Sequence, residues 1–201
     1  MRSLLARLSL LLVAALVAGC GADASSAEFN GVRLEQPYGV PDVPLTDTSG
    51  ASYSLKEDRE DALTIVFFGY THCPDYCPLV MGSLSAAMNH LSEEDRERVN
   101  VTFVTTDPAR DDEQALRDYL DGYGSEFVGL TGDLERVVEL AEPLHIYVAD
   151  GAELPSGGRD LGGHTTATLA IGEEDEAVAL WKQDTSALEY AEDIHALLAD
   201  D

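Results

Sequence analysis

Positive charge is scarce in this chain. Twelve Lys and Arg residues face 38 Asp and Glu, a formal net charge of −26. Such a field repels nucleic acid and anionic membrane surfaces, and it concentrates cations or a basic partner. The acids come in clusters at Glu93–Asp95, Asp111–Glu113, Glu173–Glu176 and Glu189–Asp193, which read as solvated faces and turns. Cysteine is scarcer still. Only Cys20, Cys73 and Cys77 are present, too few for a disulfide framework. Long apolar runs are missing as well. The run from Leu8 to Ala18 is shorter than the roughly 20 residues a spanning helix needs. No repeat and no second linker interrupts the chain.

What is present begins with a basic start, Arg2 and Arg7, then the short apolar run and small residues, the pattern of a secretory signal over 1–19. "LVAGC" resembles a bacterial lipobox, which implies cleavage before Cys20 and lipid on its thiol. The expected organisation is a signal peptide over 1–19, a flexible tether over 20–31, and one domain over 32–201. Removing the signal with its two arginines deepens the charge from −26 to −28. The protein would sit on the extracytoplasmic face of the cell membrane, tethered without spanning it. If Cys20 carries lipid, Cys73 and Cys77 are the only free sulfurs, in a compartment that favours oxidation.

The hydrophobic pattern gives a layered α/β domain. "VPLTDTSGASYSL" reads as a hairpin around Ser49-Gly50 near the N-terminus. "ALTIVFFG" and "VNVTFVTT" are buried strands, and "EFVGLTG" and "IYVAD" shorter ones. "PLVMGSLSAAMNHL", "DDEQALRDYLDGYG", "DLERVVELAEPLH" and "SALEYAEDIHALLAD" show helical spacing, the third starting near Asp133 and disturbed at Pro143. "HTTATLAIG" and "AVALWK" form a second hairpin. The expectation is a central mixed sheet flanked by helices.

The cysteine pair lies in "FFGYTHCPDYCPLVMG", after a buried strand and before a helix. That is the thioredoxin-like placement, at a strand end where ligands gather in open sheets. Pro74 and Pro78 bias each cysteine away from helical geometry, so Cys77 is expected to cap a helix beginning at Pro78. The helix terminus favours a thiolate, and the Asp75 charge opposes it. A redox pair and a metal site both remain open. A structural disulfide is the bland reading, but so short a loop removes little chain entropy. A metal site needs a third ligand. His90 and His195 fall on helices, His145 near a strand, and His72 beside Cys73. His164 follows a glycine-rich loop with Gly162 and Gly163 and directly precedes a strand. Two thiolates and an imidazole are soft donors that favour copper or zinc over magnesium or calcium.

"FFGYTHCPDYCP" resembles the signature of the Sco/SenC copper proteins. "VTTDPARDD", with Asp107, Pro108, Arg110 and Asp111, is similar to a second segment of that family, and "FVGLTG" and "GGHTTATLAIG" to two more. The resemblance implies a thioredoxin-like fold and copper, Cu(I) or Cu(II), bound by Cys73, Cys77 and His164. It implies a metallochaperone that delivers copper to the dinuclear site of cytochrome c oxidase subunit II, or to another copper protein outside the cytosol. The alternative is a thiol–disulfide reductase in which Cys73 and Cys77 form a redox pair that keeps that site reduced. A peroxide reductase with Arg110 nearby and a zinc-stabilised binding module are further rivals. One departure stands out: the family often has an acid before this histidine, where this chain has Gly163, with Asp160 close in sequence.

Overall fold

The computed structural model describes residues 29–149 and 164–200. The expected signal, lipid-bearing Cys20 and most of the tether lie outside the described residues, as do the Gly151–Gly163 loop and Asp160.

Eight strands form one mixed sheet: β1 (Val32–Gly39), β2 (Pro44–Asp47), β3 (Ser52–Ser54), β4 (Leu63–Gly69), β5 (Val99–Thr105), β6 (Val128–Thr131), β7 (Thr168–Ile171) and β8 (Glu176–Trp181). Their spatial order is β1-β8-β7-β4-β5-β6-β2-β3. Strands β4, β5 and β6 run parallel, and the flanking pairs are antiparallel. All seven residues of β4 are buried, because this central strand is covered on both faces. Leu63, Ile65 and Phe67 point to one face. That face is covered by α1 (Tyr76–His90), α3 (Glu113–Leu120) and α5 (Ala187–Asp200). Val66 and Phe68 point to the other, where α4 (Leu134–Ala141) packs with the β2–β3 hairpin. The one-turn α2 (Glu93–Arg96) follows α1 and is capped by Ser92.

Three expectations need correction. First, α1 begins at Tyr76 with Asp75 as its N-cap, so Cys77 lies inside the first turn. First-turn N–H groups have no acceptor within the helix, so Pro78 is tolerated there without marking the start. Second, the described part of "IYVAD", Ile146–Ala149, forms no strand. Only an isolated bridge joins Val148 to His164, just after His145 turns the chain with a left-handed φ of 57°. Third, β1 is an additional edge strand. Its largely exposed, polar sequence masks it, and Pro37 is accommodated because the ladder with β8 is irregular between Arg33 and Tyr38.

Candidate metal centre

Strand β4 ends at Gly69, and the chain then turns through Tyr70–Asp75 into α1. Residue Asp111, fully buried, holds this loop. Its carboxylate accepts the Thr71 N–H at 2.9 Å, the Thr71 hydroxyl at 2.6 Å and the Thr105 hydroxyl at 2.7 Å. The Asp111 carbonyl accepts the Thr131 hydroxyl at 2.8 Å, which ties the clamp to β6. Asp111 reaches this position through the Asp107–Arg110 turn, which an ion pair between those two side chains closes. The sequence marks Asp111 through the resemblance, while its cluster with Asp112 and Glu113 reads as a solvated face; the structure corrects that reading, since Asp111, like Asp95 and Asp193 of two other clusters, is buried. Its acceptor role is visible only once Thr71 and Thr105 are brought to the ends of neighbouring strands.

Both cysteines are free thiols; Cys77 is buried and Cys73 partly so. The Cys73 N–H bonds the Tyr70 carbonyl at 3.2 Å, and the Cys77 N–H points at the Cys73 sulfur at 3.5 Å. Burial raises the Cys73 thiol. Hydrogen bonds from the Cys77 thiol, the Cys77 and Asp75 backbone N–H groups and the Tyr70 hydroxyl outweigh it, and the net shift is downward. Asp75 thus supports a Cys73 thiolate through its backbone. Burial first, and then the bond to Cys73, push Cys77 up to about 12. The absent side chain of Gly69 matters here. A Cβ at this position would sit 3.0 Å from the Cys77 sulfur and from the rings of Phe67 and Phe103.

The imidazole of His164 arrives from the segment that leads into β7, the neighbour of β4 in the sheet. Its Nε2 stands 3.9 Å from the Cys77 sulfur. Its Nδ1 lies 3.1 Å from the Thr165 carbonyl, so Nδ1 carries the proton and Nε2 presents its lone pair. Burial lowers the His164 pKa, partly offset by that carbonyl, which favours the neutral form a metal requires. The rings of Tyr70 and Phe67 meet the imidazole edge-on at 5.7 and 6.4 Å between centroids. The backbone is held by the Val148 bridge and by the Thr165 N–H donating to the Tyr147 carbonyl at 2.9 Å.

Other histidines are engaged elsewhere. His72 is largely exposed and contacts the Thr71 hydroxyl at 2.9 Å. The His145 ring packs at a tilt against Tyr38, and His195 pairs with Asp95 at 2.9 Å. His90 is the exposed last residue of α1. Among the described residues no three His, Cys, Asp or Glu side chains form a ready-made cage. The donor set still fits a soft ion. Metal–sulfur and metal–imidazole bonds of about 2.3 and about 2.0 Å together exceed the observed 3.9 Å, so one ion can reach both atoms.

A family model described as SCO1/SenC matches residues 35–199. The solution structure of apo Sco1 from Thermus thermophilus superposes with a TM-score of 0.72 at 32% identity, over 85% of this chain and 97% of that one. Bradyrhizobium japonicum ScoI, solved with copper bound, gives a TM-score of 0.66 at 26% identity, over 79% and 98%. A curated Stutzerimonas stutzeri protein is 32% identical over 126 residues, 63% of this chain and 61% of that protein. The chain spans less than two thirds of the length of such curated relatives. The fold is thioredoxin-like, as these neighbours are, with the cysteine loop and His164 meeting at one sheet end. The chain belongs to the SCO1/SenC family.

Proposed function

We propose that this protein is a copper chaperone that holds one copper ion through the thiolates of Cys73 and Cys77 and the imidazole of His164. One observation carries the reading: the 3.9 Å approach of His164 Nε2 to the Cys77 sulfur, with Nδ1 already committed to the Thr165 carbonyl. Copper is the cargo that suits this donor set, because two thiolates and one imidazole satisfy Cu(I) without a fourth ligand. The copper-bound relative from Bradyrhizobium japonicum supports the choice. Cys73 is the more exposed sulfur and the one from which a recipient's thiolate would take the ion. Buried Cys77 and half-buried His164 form the wall behind it. The recipient, by family resemblance, is the dinuclear copper site of cytochrome c oxidase subunit II. The chain would work from a lipid anchor at Cys20, on the extracytoplasmic face of the membrane.

Anaerobic titration of the reduced protein with Cu(I) tests this reading. One ion per chain is expected, and His164→Ala should weaken affinity by at least about 10-fold, since even a residue supporting a ligand is worth that much. Unchanged affinity in His164→Ala overturns the three-donor site.

A second reading rests on the opposed shifts of the two thiols. A Cys73 thiolate can attack a target disulfide, forming a mixed disulfide and releasing one target thiolate. Cys77, losing its proton, then attacks Cys73 and releases the other, leaving this chain oxidised. Turnover by metal-free protein that persists in His164→Ala would favour this reductase. A peroxide reductase is disfavoured, because the Arg110 guanidinium is taken by Asp107.

A further inference from the structure

Residues 29–31, at the end of the expected tether, are fastened to the domain. Both the Asn30 and Gly31 N–H groups donate to the Asp193 carboxylate, at 2.9 and 2.7 Å. The Asn30 side chain and the Trp181 indole N–H donate to it as well, at 3.1 and 2.7 Å. Asp193 is only 2% exposed. A Cβ on Gly31 would lie 2.5 Å from the Trp181 ring, so the strap fits only as glycine. Phe29 packs on Trp181, and Arg33 lies over the Phe29 ring at 4.6 Å. The chain therefore enters the domain at a fixed point.

Strand register fixes where that point lies. Phe67 pairs with Thr168, and Thr168 with Trp181. Val32 pairs with Leu180, which sets Gly31 opposite Trp181. The entry point and the cysteine loop thus share one end of the sheet, three strand spacings or about 14 Å apart. The other end carries Asp61, Glu93, Glu97, Glu173 and Glu174, beside the starts of β4 and β5, the end of α1 and the β7–β8 turn.

We propose that the strap turns the Cys73–Cys77–His164 end of the domain toward the membrane, so that the donor site opens onto the bilayer surface rather than away from it. The inference rests on the reading of Cys20 as the lipid-bearing residue. Nine residues lie between Cys20 and Asn30, ten steps along the chain. Fully extended they span about 35 Å, and as a flexible chain about 17 Å, less than the width of the domain.

The test uses the lipidated full chain in vesicles containing phosphatidylglycerol and headgroup-nitroxide lipid. A fluorophore is placed on Cys73 in a Cys77→Ser background, or on Glu174→Cys with both native thiols replaced by serine. Co-flotation with the vesicles reports the anchor, independently of orientation. Quenching of the Cys73 label should exceed that of the Glu174→Cys label by about twofold or more, given the short reach of the tether. Inserting about 20 Gly/Ser residues before Phe29 should shrink the difference, and so should Asp193→Asn if that variant folds. Equal or reversed quenching in floating protein overturns the orientation and leaves the copper reading intact. Failure to float overturns both the anchor and the orientation.

Discussion

The two ends of strand β4 are built to opposite purposes. At its start, the Arg59 side chain is 4% exposed and fully occupied. It donates to the Leu55 and Gly172 carbonyls at 3.0 and 2.7 Å and pairs with Asp175 at 2.8 Å. At its other end, Asp111 satisfies the backbone and hydroxyls of the loop, yet two thiols and an imidazole nitrogen face one another without strong bonds. One end closes the fold. The other uses the same kind of buried polar clamp to hold reactive groups in an unfinished arrangement. Rigidity of the surrounding shell is what lets an incomplete donor set keep its shape.

The comparison can be broken most forcefully at Asp111. Asp111→Ala strands the buried Thr105 hydroxyl and two partly buried Thr71 donors and should cost about 3–5 kcal/mol, read as the denaturation midpoint, with copper affinity falling as well. Retained affinity in a destabilised variant would show that the clamp serves stability alone. At the opposite end, Arg59→Met should cost about 2–3 kcal/mol and leave thiol reactivity and copper affinity unchanged. A change in affinity there would erase the division between the two ends.

Smaller effects sharpen it. Gly69→Ala forces a methyl group against the Cys77 sulfur and two aromatic rings and should cost about 1–3 kcal/mol. Its Cu(I) affinity should drop more than its stability implies, because the displaced atom is a donor. The pH dependence of alkylation separates the two sulfurs. The Cys73 pKa is lowered from 9.0, so its thiolate and its reactivity should appear with a midpoint below that value as pH rises. The Cys77 thiol, pushed up to about 12, should stay protected until strongly alkaline pH. Equal rates for both at neutral pH, resolved by mass spectrometry after digestion, would contradict the asymmetry.

Much of this architecture was legible in the sequence, and the exceptions share a cause. Strands β4 and β5 read directly, because burial on both faces demands continuous apolar runs. The β2–β3 and β7–β8 hairpins announced themselves by alternation around turn residues. His164 was marked by its place before β7 and by the resemblance, but nothing in the spacing showed that Thr165 would set its tautomer. Edge strand β1 was hidden because half-exposed edge residues leave no periodic signal. The roles of Asp111, Asp193 and Gly69 escaped for a related reason. Each acts through partners distant in the chain, and only the assembled sheet brings those partners within reach.

The Cys77–His164 approach spans 87 residues of sequence. An ion held between them would act as a reversible cross-link, closing a loop that the unfolded chain must otherwise keep open. Binding to the folded state alone adds stability with each rise in free ion. Giving up the cargo therefore loosens the carrier, so that the loaded and emptied forms should differ in lifetime as well as in content.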